Sequence, residues 1–190
     1  MILNRLGNKR RLTSKILPYI PEHDLFIEPF FGAGGFYFHK PKAKYNVVND
    51  SDAEVYNLFQ VVRFQAEELA QVFQELPIHQ RLWDHWRKNK EEDQVWRAAR
   101  FLFLSNFGYM GKAQTLRFPS KKTKELILQR MILTAMKLEN VDQPSTHLLL
   151  LRSALPGHLQ QLRIRVHRAR QYRLIRLPAV LRSALDDVRI

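Results

Sequence analysis

A chain of 190 residues is long enough for one domain with a full hydrophobic core, and it contains no apolar run of roughly 18 residues, the length a membrane helix needs. Its formal charge of +13 exceeds what solubility requires and favours an anionic polymer as partner, nucleic acid first and an anionic membrane surface a distant second. With no cysteine, disulfides and thiolate metal sites are excluded, and the charged N-terminus lacks the apolar stretch of a secretion signal, so an intracellular, metal-free protein without membrane attachment is expected.

The chain opens on a polar, basic segment, Asn4-Arg5-Leu6-Gly7-Asn8-Lys9-Arg10-Arg11. Composition alone leaves it open between a solvated surface and an anion contact. Thr13 is placed to cap a helix carrying Ile16, Leu17 and Ile20, kept short by Pro18. Leu25-Phe26-Ile27 reads as a buried strand that Pro29 ends. Three glycines in the four positions from Gly32 to Gly35 then make a tight turn, where backbone meets a ligand with no Cβ in the way.

Tyr45-Asn46-Val47-Val48 reads as a second strand closing on Asn49-Asp50. Asp50 follows Gly32 by 18 residues, near the offset of about 20 at which an acid meets a nucleotide ribose in strand–turn–helix–strand units. A carboxylate there accepts from two vicinal hydroxyls at once. The combination favours an adenosine-type cofactor site in an α/β domain, with an ordinary glycine-containing connection as the alternative. A nicotinamide fingerprint fits less well, since its third glycine would fall at position 37, which is Tyr.

Ser51 or Asp52 is suited to cap the next helix, with Val55, Leu58, Phe59 and Val62 on one face. The helical pattern continues through Leu69, Val72, Phe73 and Leu76. It runs on to Phe103 and Leu104 without strand-like alternation, so a helical insertion between strands is expected. Trp83, Trp86 and Trp96 read as core anchors rather than base-stacking platforms. The run Ser105 to Phe118 differs: aromatics, glycines, amides and two cations, Lys112 and Arg117, mix without a period. It suits either a recognition loop or a plain surface hairpin. Lys121, Lys122 and Lys124 then lead into a helix with Leu126, Ile127, Met131, Leu133 and Met136.

Composition breaks near residue 140. All twelve lysines lie at or before Lys137, whereas nine arginines fall in the last 39 residues, and Tyr172 is the only aromatic after Phe118. Such a change of usage suggests either an arginine-rich helical arm or a shifted reading frame. Three segments follow from these readings: 1–57 with the glycine turn, 58–140 as a helical insert, and 141–190 as a tail.

In the order of these pieces the chain resembles the N-terminal part of the Dam-like, D12 class of N6-adenine-specific DNA methyltransferases, from about Ile2 to Val141. Arg5 to Arg10 is similar to the family's N-terminal cofactor motif, and Glu28-Pro29-Phe30 with the glycine turn to its methionine-side motif. Asn49-Asp50 is similar to its ribose contact. The resemblance implies a Rossmann-like sheet and S-adenosylmethionine as cofactor. It implies transfer to adenine N6 in double-stranded DNA, in the bacterial or phage-infected cytoplasm, by a monomer. It places Phe30, Gly32, Ala33 and Gly34 at the cofactor, Asp50 on the ribose, Lys9 near cofactor and catalytic pocket, and Arg5 in the same motif. Lys112 and Arg117 become DNA contacts. The family's Asp-Pro-Pro-Tyr motif is expected on the next major strand, but the sequence holds no Pro-Pro pair, so no catalytic residue is assigned. Asp142-Gln143-Pro144-Ser145 is the nearest string, and it lacks the aromatic. A non-catalytic, truncated or frameshifted remnant that binds cofactor or DNA, its sheet incomplete at the C-terminus, is the alternative.

Overall fold

The computed structural model describes residues 1–5, 9–111, 113–117, 122–139 and 147–152. The N-terminal residues lead into α1 (Arg10–Ile16), which runs into a 3-10 turn at Leu17–Tyr19 as Pro18 removes a donor. Thr13 does not cap this helix. It sits inside it, buried, and its hydroxyl donates back to the Lys9 carbonyl at 3.1 Å and to the Gly35 carbonyl at 3.4 Å. Ile16 stays exposed, so the expected apolar face of this helix is not a core face.

Strand β1 (Leu25–Glu28) lies parallel to β2 (Tyr45–Asn49), with Leu25 opposite Tyr45 and Glu28 opposite Val48. Strand β3 (His147–Leu151) lies parallel on the far side of β2, giving a three-stranded sheet of order β1-β2-β3 among the described residues. The central strand is buried at every position, because neighbours cover both its edges and both its faces. At the edge, β1 is buried only in part, and Ile27 is 42% exposed, contrary to the expectation of a wholly buried strand. The run Leu148 to Leu151, inside the segment expected as a tail, extends the sheet.

Helix α2 (Ala53–Phe64) starts on Asp52, whose carboxylate accepts from the Glu54 amide at 2.9 Å. It breaks at Gln65, and α3 (Ala66–Glu75) follows at once. Helix α4 (Gln80–Lys88) and α5 (Gln94–Phe107) complete the insert, with the Asp93 side chain accepting from the Trp96 amide at the start of α5. Trp83 and Trp86 are buried against Phe103, but Trp96 is 44% exposed in the first turn of α5 and is not a core anchor. A second aromatic cluster, Phe31, Tyr37, Phe38 and Phe59, joins the segment after β1 to α2. These rings supply much of the burial that holds the glycine turn in place.

Helix α6 (Lys122–Glu139) buries Ile127, Met131 and Leu138 and leaves Leu126, Leu133 and Met136 half exposed. The Lys124 ammonium donates to the carbonyls of Gln74 and Leu76, closing the end of α3. No helix among the described residues is long and apolar enough to cross a membrane.

Candidate functional site

The glycine turn stands at the C-terminal ends of the parallel strands, the pole at which open α/β sheets receive ligands. Its backbone is stitched to the end of β2. The Phe31 amide donates to the Asn49 carbonyl at 2.9 Å, and the Asn49 side-chain amide donates to the Pro29 carbonyl at 3.1 Å. The Gly32 amide donates to the Asp50 carboxylate at 2.6 Å, joining the two residues that sequence spacing had paired. The other oxygen of Asp50 accepts from the Asp52 amide at 3.0 Å. A carboxylate has about four lone-pair sites. Among the described residues two are used, which leaves as many as a pair of ribose hydroxyls needs.

Two glycines of the turn have positive φ, 55° at Gly32 and 68° at Gly34, and their surroundings differ. A Cβ on Gly32 would meet nothing within 4 Å, so its open side admits a ligand to the backbone. A Cβ on Gly34 would stand 2.3 Å from the Phe38 ring, so there glycine serves packing. Ala33 is buried at 6% exposure, whereas the Phe30 ring is 67% exposed beside the turn.

Lys9 reaches across to the same place. Its ammonium donates to the Phe30 carbonyl at 2.8 Å and to the Glu28 carboxylate at 3.2 Å. Burial pushes the Glu28 carboxyl above the usual range, and the positive charge of Lys9 pulls it partway back. Among the described residues the other oxygen of Glu28 is buried without a hydrogen-bond partner. Glu28 was not singled out from sequence as a site residue. Its signal there was an acid closing an apolar strand, but which way it faced depended on Lys9, 19 residues away.

Lys9→Met is expected to cost about 1–3 kcal/mol at neutral pH, because it strands the buried Glu28 carboxylate. A carboxyl whose folded pKa is raised stabilises fully below its unfolded pKa, and that contribution is lost as pH rises through the folded value. The deficit relative to the parent therefore shrinks as pH falls toward the ordinary carboxylate range. Urea midpoints for both proteins across that range check it, and a pH-independent deficit contradicts it.

Arg5 is tied to Asp52 at 3.0 Å and lies over the Phe101 ring, which places it at the foot of α2 beside Asp50. Arg117 is exposed on the segment that returns from the 3-10 turn at Tyr109–Gly111, where Gly108 bridges Leu116 in antiparallel fashion. Ser105, Asn106 and Phe107, expected in this loop, belong to α5, which Gly108 caps. Lys112, Gly7 and Asp142 to Ser145 lie outside the described residues. Strand β3, Leu148 to Leu151 after His147, carries no acid, proline or aromatic and pairs with β2 rather than β1.

The N-terminal segment is fastened to the insert. Ser105 donates to the Asn4 carbonyl and Asn106 to the Ile2 carbonyl, each at 2.9 Å. Gly111, with φ of 73°, sits against the Asn4 backbone. The segment leading to Lys9 and the hairpin bearing Arg117 thus share one anchorage.

Comparison with known proteins agrees with this layout. The family described as D12 class N6 adenine-specific DNA methyltransferase matches residues 6–141. DNA adenine methylase of Escherichia coli (strain K12) is 28% identical over 111 residues, covering 55% of this chain and 40% of that protein. DNA adenine methylase of Salmonella typhi is 27% identical over 111 residues, with the same shares. The match thus spans well under half the length of these relatives. On the family match, which covers most of its residues, the chain belongs to the D12 class of N6 adenine-specific DNA methyltransferases.

Proposed function

We propose that this chain binds S-adenosylmethionine at the glycine turn and serves methyl transfer to adenine N6 in double-stranded DNA. The observation that carries the reading is the bond from the Gly32 amide to Asp50, at the ligand-binding pole of the sheet and beside the open face of Gly32. The residues present fit the cofactor. Asp50 retains acceptor capacity for ribose hydroxyls, Phe30 offers an exposed ring, and the negative charge of the Glu28 carboxylate suits a cationic amine. When bound, the cofactor supplies an electrophilic methyl group on sulfur. Lys9 holds the Phe30 carbonyl and Glu28 in register around it.

In this reading the sheet is the start of a Rossmann-like fold. Residues 1–57 grip the cofactor, and 58–140 carry the hairpin whose Arg117 and Lys112 meet DNA phosphates or base edges. Residues 141–190 are the arginine-rich tail, whose positive charge suits the same partner. The setting is the bacterial or phage-infected cytoplasm.

Equilibrium dialysis of the full chain with tritiated S-adenosylmethionine tests the proposal, followed by addition of unmethylated duplex DNA. Retained label is expected. Label in adenine N6 above a heat-killed control extends the reading to the whole reaction, and absence of retention overturns it. Asp50→Ala is expected to weaken binding by about 1.5–3 kcal/mol, the contribution of hydrogen bonds to a charged group. Unchanged affinity in a folded variant removes Asp50 from the site.

A further inference from the structure

The Arg5 guanidinium is engaged by the protein on two sides. Its Nη1 donates to the Asp52 carboxylate at 3.0 Å, and its central carbon lies 5.8 Å from the centroid of the Phe101 ring, within cation–π reach. These partners come from different elements, the foot of α2 and the middle of α5. The backbone just before it is held as well, since the Asn4 carbonyl accepts from Ser105.

Asp52 links this anchorage to Asp50. One of its carboxylate oxygens takes the Glu54 amide at 2.9 Å and starts α2, and the other takes Arg5. Its own amide donates to one oxygen of Asp50 at 3.0 Å, while the Gly32 amide donates to the other at 2.6 Å. The Asp50 carboxylate is thus clamped at both oxygens by backbone amides, and one of those amides belongs to the residue that Arg5 grips. A carboxylate that accepts from two vicinal hydroxyls at once must have its plane fixed as well as its charge. Two acids also stand two residues apart here, and Arg5 offsets the charge of the second, easing repulsion within the pair.

We propose, on the reading of the glycine turn as an S-adenosylmethionine site, that Arg5 is a positioning residue for ribose recognition. Acting through Asp52, it holds the Asp50 carboxylate in the plane that accepts a vicinal diol, and it touches no part of the nucleoside itself. Its segment resembles a cofactor motif, but its charge is spent on the protein. The arrangement gives the site a basis for selectivity. A site built to hydrogen-bond a hydroxyl discriminates strongly against an analogue that lacks it. The adenosine units of duplex DNA have no 2′-hydroxyl, so a rigid acid here keeps the substrate's own nucleoside out of the cofactor pocket.

Competition of S-adenosylhomocysteine, and of its 2′,3′-dideoxy analogue, against tritiated S-adenosylmethionine on the full chain tests this role. In the parent the ligand with the diol is expected to bind the more tightly. Arg5→Met should weaken that ligand roughly fivefold, the scale of an ion pair whose side chains are 37% and 32% exposed, and leave the dideoxy analogue unchanged. Arg5→Lys keeps the charge and should recover part of the loss. Asp52→Asn keeps a capping oxygen for α2 and should reproduce the loss. In an Asp50→Ala background Arg5→Met should cost nothing further. Equal losses for the two ligands, or an Arg5 effect that survives in the Asp50→Ala background, overturns the proposal, since Arg5 then touches the nucleoside or only supports the fold. A parent that holds neither ligand, or holds both alike, overturns the role of Asp50 itself and that of Arg5 with it.

Discussion

Gly34→Ala is expected to destabilise the folded chain by about 2–5 kcal/mol, combining the strain of a left-handed alanine with overpacking. With φ at 68°, a new Cβ would stand 2.3 and 2.5 Å from two atoms of the Phe38 ring and 2.9 Å from Phe31. Phe38 has little freedom to swing clear, because it is 8% exposed and packs on Phe31, Tyr37 and Phe59. Gly32→Ala is the matched comparison. It has the same kind of backbone strain, φ 55°, but nothing within 4 Å, so about 1–2 kcal/mol is expected. Urea unfolding followed by tryptophan fluorescence reads both, since Trp83 and Trp86 are buried. The ligand should rank them the other way: Gly32→Ala stays folded yet loses S-adenosylmethionine, because its methyl group fills the open approach. Equal stability losses contradict the division of roles between the two glycines.

Gly111→Ala is expected to have an effect of comparable size on stability, about 2–5 kcal/mol, with a different signature. Here the Cβ would lie 1.9 Å from the Asn4 carbonyl oxygen and 2.8 Å from its carbon, a backbone that cannot rotate away as a side chain might. Relief requires the hairpin and the N-terminal segment to part, breaking the bonds from Ser105 and Asn106 to that segment. Faster hydrogen exchange at residues 2–5 and 105–117 is therefore expected, with the amides of β2 unchanged. Affinity for S-adenosylmethionine should fall as well, since the loosened segment leads to Lys9. Exchange confined to the hairpin, with the N-terminal residues still protected, contradicts the shared anchorage.

What could be read from sequence was what neighbouring residues decide. The strands at Leu25 and Tyr45, the cap at Asp52 and the pairing of Gly32 with Asp50 rest on short-range pattern, and the structure has each of them. The Thr13 cap failed because a hydroxyl near a helix start also bonds back to the carbonyl four residues earlier, and the tether to Gly35 holds it inside. Trp96 failed because helical spacing fixes a face but not what covers it. The place of β3 depends on pairing across about 100 residues of chain, which a run of leucines does not encode.

The claim on which the rest turns is that Gly32 and Asp50 jointly hold a sulfonium nucleoside. A crystal of the full chain soaked with S-adenosylmethionine addresses it most directly. The account predicts density for the nucleoside along the open face of Gly32, with both ribose hydroxyls on the Asp50 carboxylate. Density elsewhere, or a vacant turn with the cofactor in excess, contradicts it.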